Sequence, residues 1–239
     1  MAADPYVPAM RLLPAFLLVA LALSGCSGTN RLREVDLRGR TVAVMAAIPP
    51  HPRVQAGDPG EAAINPYDPI GSAVRVGTAA AKYREARRAQ ARLDSAASRV
   101  DVADRIARQV LAQSADRLGF APVGAPTDAD FLLDLRLADV ALVADSFEGA
   151  TYFVLEGEVL FMNPDNGRLL WRVRLREREV LDASVFGLPA AAGNVITARA
   201  LAALSETELT TGLERLADFA AGRITDRLTR DYFRSRRDA

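Results

Sequence analysis

The chain carries one thiol, one imidazole and 30 acidic side chains, and its chemistry depends on whether any of these meet at a usable spacing. Cys26 has no second cysteine, so neither an internal disulfide nor a zinc site built from thiolates can form. His51 lies in a proline-rich stretch with no other His or Cys, which fits a loop residue better than a general base or a metal ligand. Glu156 and Glu158 have the two-residue spacing that puts both carboxylates on one face of a strand, the arrangement an acid and base pair would need. No G-x-x-x-x-G-K phosphate loop occurs anywhere. Arg84, Arg87, Arg88 and Arg92 share one side of a helix, a stripe suited to anionic lipid head groups or an acidic partner, with a solvated face as the plainer reading.

The elements around Glu156 and Glu158 decide between catalysis and structure. Tyr152 to Met162 and Leu169 to Val180 read as two strands around Asn163-Pro164-Asp165-Asn166-Gly167-Arg168. Taking Asp165-Asn166-Gly167 as a three-residue loop with Gly167 left-handed pairs Phe161 with Trp171 and Val159 with Val173. Glu158 then faces Arg174 and Glu156 faces Arg176 on the outer side of an antiparallel sheet. Exposed cross-strand pairs of this kind contribute about 0.2–1 kcal/mol and favour a structural role for both carboxylates. Trp171 is expected in the core or the sheet rather than at a ligand platform. No catalytic residue, metal or cofactor is expected, and an enzyme of unrecognised type is the remotest of the readings.

The N-terminal residues carry a different signal. Met10 and Arg11 precede an apolar run from Leu12 to Leu23, about half of the ~20 apolar residues that a membrane-crossing helix requires. A basic start, a short apolar run and small residues form a cleavable export signal, with Met10 the better start because Asp4 does not suit a positive region. Leu23-Ser24-Gly25-Cys26 resembles the lipobox of bacterial lipoproteins. The resemblance implies cleavage before Cys26, acylation of its sulfur and attachment to a membrane through N-terminal acyl chains. Ser27 after the cysteine resembles the pattern that sends such proteins to the outer membrane, facing the periplasm. A plain secretory signal would leave an odd thiol without a partner in an oxidising compartment.

Once residues 1–25 are removed, Asp4 and Arg11 cancel and the chain keeps the zero formal charge of the full sequence. A neutral chain provides no general field to attract nucleic acid, so no nucleic-acid partner is expected. Half of the residues are apolar, enough for one core. Residues 26–40 read as a lipidated polar tether and 41–239 as a single domain. Within it, Thr41 to Ile48 reads as a strand covered on both faces in mid-sheet. The prolines from Pro49 to Gly71 exclude regular structure for about twenty residues, a loop of the kind that is usually functional.

Ser72 to Arg99 is helical in period, with Ala86, Leu93 and Ala97 opposite the arginine stripe. Asp101 caps a helix over Val102 to Leu118, which Gly119 ends. Phe131 to Leu142 alternates as a strand but slips phase at Asp139, which predicts a bulge. A helical piece over Val195 to Leu204 precedes the capping box Ser205-Glu206-Thr207-Glu208, and a last amphipathic helix runs from Glu206 to about Phe233.

This order predicts an α+β two-layer sandwich: a mainly antiparallel sheet of about four strands with amphipathic helices on one face. The lipobox, the apolar first strand, the hairpin Asp165-Asn166-Gly167-Arg168-Leu169-Leu170-Trp171 and the closing helix are loosely similar to the curli-secretion-channel and penicillin-binding-protein-activator lipoproteins. That resemblance implies a lipid-anchored envelope protein acting as a non-catalytic binding or accessory module, or one that self-associates in secretion or assembly.

Overall fold

The computed structural model describes residues 29–55, 84–88, 90–146, 149–187 and 196–237. Its longest strand, β4 (Phe131–Ala144), organises the sheet. One edge of β4 pairs antiparallel with β5 (Thr151–Met162), which pairs antiparallel with β6 (Leu169–Val180). The other edge is shared by two segments, both parallel to it. β1 (Thr41–Ala47) lies beside residues 131–136, and β2 (Arg53–Gln55) beside residues 141–143. The two-residue β3 (Ala121–Pro122) adds to the far side of β1, also in parallel.

The sheet is therefore mixed and has six strands, where about four mainly antiparallel ones were expected. Parallel strands need long crossovers, so their pairing leaves no short turn signal in a sequence. β2 falls inside the proline-rich stretch from which regular structure was excluded. It escapes that exclusion because Arg53, Val54 and Gln55 follow Pro52 and no proline interrupts them. β1 lies between β3 and β4, but only Val42 and Ala43 are buried, and Met45 is 47% exposed. Met45, Ala46 and Ala47 are exposed, contrary to the expectation of a strand covered on both faces, and the brevity of β3 leaves that half of β1 open along its outer edge as well.

The bulge predicted at Asp139 is present: Leu137 opposes Gly157 and Asp139 opposes Glu156, leaving Ala138 extra. The predicted register of the hairpin holds at Phe161–Trp171, Val159–Val173, Glu158–Arg174 and Glu156–Arg176. Its loop is one residue longer than expected, because Asn163 N–H donates to the Arg168 carbonyl at 3.0 Å. Met162 opposes Leu169, and a register shift just beyond it restores the predicted pairing. Gly167 sits at φ +66°, where glycine has no steric penalty.

The helical residues 84–88 and 90–97 form α1, followed by α2 (Val102–Leu118), α3 (Ala198–Ala203) and α4 (Glu206–Arg237). The Asp101 carboxylate accepts from the backbone N–H of Asp104, and Gly119 closes α2 at φ 75°, as the sequence predicts. The Ser205 and Glu208 side chains cap each other's backbone N–H groups at 2.8 and 3.3 Å, starting α4. α4 continues one turn past the expected end, because Tyr232 and Ser235 are buried there.

The core lies between one face of the sheet and the helices. Leu133, Leu135, Phe153, Leu155, Val159 and Phe161 meet Ile106 and Val110 of α2 and Leu213, Ile224 and Leu228 of α4. Each such side chain contributes about 1.5–3 kcal/mol on full burial. A bidentate Arg105–Asp218 pair at 2.7 and 2.8 Å and the buried hydroxyls of Ser114 and Thr225, 3.4 Å apart, join α2 to α4. A small cluster of Ala43, Ala129 and Leu132 covers one end of the opposite face.

Residues 29–40 are not a free tether. Leu32 and Leu37 have no exposed surface. Arg31 N–H donates to the Leu170 carbonyl at 2.6 Å and Arg172 N–H to the Thr29 carbonyl at 2.9 Å, so this segment adds to the outer edge of β6. The reason is local: Leu32, Val35 and Leu37 are apolar enough to pack against α4 and the sheet despite the charges around them.

Candidate functional site

Leu23, Ser24, Gly25 and Cys26 lie outside the described residues, as do residues 56–83, which hold most of the predicted proline-rich loop and the start of the predicted first helix. What the structure places is the surface around them. Arg84, Arg87, Arg88 and Arg92 are all exposed on α1, and Ala86, Leu93 and Ala97 are buried beneath them, so the predicted amphipathic division holds over 84–97. α1 is held at the start of α4, where Ser95 and Arg99 both reach Glu206 at 2.8 Å. It also touches β2, where the Gln90 amide donates to the Val54 carbonyl at 2.7 Å.

The other candidates separate. His51 is exposed after Pro49-Pro50. Among the described residues no three His, Cys, Asp or Glu side chains are grouped to hold a metal ion. Glu158 accepts from Arg172 at 2.8 and 2.5 Å, diagonal to the Arg174 that faces it, while Glu156 stands opposite Arg176. A guanidinium thus holds Glu158, and Glu156 stands between Asp139 of β4 and Arg176 of β6, positions suited to a charged outer sheet face.

A cleft of about 420 Å³ opens beside the C-terminal end of α4, lined by Asp36, Arg38, Asp116, Arg117, Tyr232 and Arg236. Two of its three arginines are engaged. Arg117 pairs with Asp226, and Arg236 donates to the Val35 carbonyl at 2.6 Å while lying 4.7 Å over the Tyr232 ring. Its lining contains no imidazole, thiol or aliphatic hydroxyl that could act as a nucleophile.

Sequence reasoning missed the surface that the N-terminal segment builds. Asn30 pairs with Trp171 at the edge of β6, and its amide donates to the Asp231 carbonyl of α4 at 3.2 Å. Trp171 Nε1 donates to the Asp231 carboxylate at 3.0 Å, and Arg227 reaches the same carboxylate at 3.3 Å. Arg223, Arg227, Arg230 and Arg234 recur at helical spacing along one flank of α4. Arg223 bonds Glu177 at 2.7 Å, which fixes that flank as the one beside β6. On β6 itself, Arg172, Arg174, Arg176 and Arg178 share the outer face by strand alternation. The signal was present in the spacing of both sets, but only their tertiary adjacency unites them.

No family model, curated protein or solved structure matches this chain. Among the described residues no helix is long and apolar enough to cross a membrane.

Proposed function

We propose that this chain is a lipid-anchored cell-envelope protein, held in the outer membrane facing the periplasm, whose folded domain is a non-catalytic binding or accessory module. The observation that carries this reading is Leu23-Ser24-Gly25-Cys26 behind a basic residue and a short apolar run. The dispersed carboxylates and the lone exposed imidazole give the non-catalytic part its support. Replacing Cys26 by Ser should release the protein from the membrane fraction, and the N-terminal peptide of the native protein should carry the mass of acyl chains on Cys26. Retention of the serine variant, or an unmodified thiol, would contradict the anchor.

A second reading is self-association in a secretion or assembly accessory. It is favoured by the outer edge of β1, where β3 covers only Thr41 and Val42 and Met45 stands exposed. Size measurement in detergent separates the two, since an accessory ring elutes as many subunits and an adaptor as one or two.

A further inference from the structure

We infer that the outer edge of β6, with the arginines flanking it, is the face that lies against the bilayer and binds the phosphates of anionic lipid. The inference rests on the lipid-anchored reading and adds an orientation and a lipid class to it.

Covalent reach sets the orientation. Thr29 is hydrogen-bonded to Arg172 on the β6 edge, and Cys26 precedes it by only three residues. At about 3.3–3.6 Å per residue, an acylated Cys26 lies within roughly 11 Å of Thr29. A domain tied so closely cannot turn an arbitrary side to the membrane. The β6 edge must face it.

The charges at that edge match such a surface. Arg223 is occupied by Glu177, Arg227 by Asp231, Arg172 by Glu158 and Arg178 by Asp145. Arg31, Arg33, Arg174, Arg230 and Arg234 are exposed and make no ion pair among the described residues. Asn30 turns its side chain toward α4, so strand alternation sends Arg31 to the outer face with Arg174. Arg230 and Arg234 flank the edge from the helix side. A chain of zero net charge thus concentrates uncompensated positive charge around its proposed point of attachment.

Apolar groups accompany the charges. Of the large hydrophobic side chains most exposed among the described residues, Val180 belongs to β6 and Phe219 lies under Arg223 on the flank of α4 beside it, whereas Phe233 lines the cleft with Asp116 and Arg117. Arginines beside exposed aromatic rings make a surface suited to the head-group region. The basic face of α1 is remote from it. α1 bonds β2 through Gln90 and the Val54 carbonyl, and β2 lies on the far edge of β4, with β4 and β5 between it and β6. In this orientation Arg84, Arg87, Arg88 and Arg92 face away from the lipid and toward the envelope partner.

The test uses the acylated protein reconstituted in vesicles containing phosphatidylglycerol, with Phe219→Trp or Arg88→Trp as depth reporters and head-group-brominated lipid as quencher. Trp171 is buried and supplies a constant background. Quenching at position 219 should exceed that at position 88 by about fivefold or more. It should fall in neutral phosphatidylcholine vesicles and at high salt. Replacing Arg31, Arg230 and Arg234 by Gln should lower the membrane-apposed population by about fivefold per arginine. Equal or stronger quenching at position 88, or quenching at 219 that ignores both lipid charge and the arginine changes, would overturn the inference. Mass analysis of the same sample reports the anchor separately. An unacylated protein that still shows charge-dependent quenching at 219 would refute the anchor and keep the surface.

Discussion

Trp171 and Asp231, sixty residues apart in sequence, meet in a buried hydrogen bond of 3.0 Å between the indole N–H and the carboxylate. Asn30 caps the same turn of α4 through the Asp231 carbonyl, so one residue ties together the last helix, the edge strand and the N-terminal segment. Replacing Asp231 by Ala should cost about 2–3 kcal/mol, because it strands a buried donor and removes the partner of Arg227. Asp231→Asn should cost less, since its amide oxygen can still accept. Trp171 is the only tryptophan, so its fluorescence during thermal unfolding reports this site directly. An unchanged melting temperature in Asp231→Ala would refute the role.

Two glycines of α4 should respond to alanine with opposite signs. A Cβ at Gly222 meets nothing within 4 Å, so Gly222→Ala should stabilise by about 1 kcal/mol through helix propensity alone. A Cβ at Gly212 would stand 2.1 Å from the Phe186 ring, which is itself buried. Overpacking of about 1–3 kcal/mol should outweigh the propensity gain there. Urea unfolding of the two variants should move their midpoints in opposite directions.

Gly157 faces the bulge of β4. Its added Cβ would lie 2.4 Å from the Arg136 carbonyl oxygen and 2.6 Å from Leu137 Cα, both backbone atoms that cannot swing away. Gly157→Ala should therefore lose about 3 kcal/mol or fail to fold. A wild-type unfolding midpoint would mean that the bulge at Ala138 does not approach β5 as described.

The starts of the parallel strands β1 and β4 are locked by a reciprocal pair. Thr41 N–H donates to the Asp130 carboxylate at 2.9 Å, and Asp130 N–H donates to the Thr41 hydroxyl at 2.9 Å. The Thr41 N–H, with help from its hydroxyl and from Arg40, holds the Asp130 carboxyl below its ordinary range against a smaller opposing effect of burial. A lowered folded-state pKa stabilises the native state above the unfolded value, about 3.9 for Asp, and that contribution is lost as pH falls through the folded value. Asp130→Asn should thus be less stable than the parent at pH 7, and the difference should close in acid. Urea unfolding at both pH values measures it, and a gap that persists or widens in acid would contradict the sign.

Much of the local structure was legible because its causes are local. The Asp101 and Gly119 caps, the Ser205–Glu208 capping box and the left-handed Gly167 each depend on a few neighbouring residues. The phase slip at Asp139 and the pairing of Phe161 with Trp171 follow from two-residue periodicity, which a bulge or a turn shifts by whole residues. The basic face of α1 was visible for the same reason, since helical period alone separates Arg84, Arg88 and Arg92 from Ala86, Leu93 and Ala97.

What tertiary structure decided was pairing between distant segments. β1 beside β4, β2 continuing along the same edge, and residues 29–31 joining β6 are contacts whose registers no local pattern records. Leu32 and Leu37 show the physical reason. Two leucines in a charged stretch carry too little apolar area to announce an element, yet they are wholly buried once Trp171, Asp231 and Tyr232 form a place for them. The amino-acid order supplied Leu23-Ser24-Gly25-Cys26 and the separate arginine spacings, and folding alone brought residues 29–31 and the arginines of α4 and β6 to a single edge.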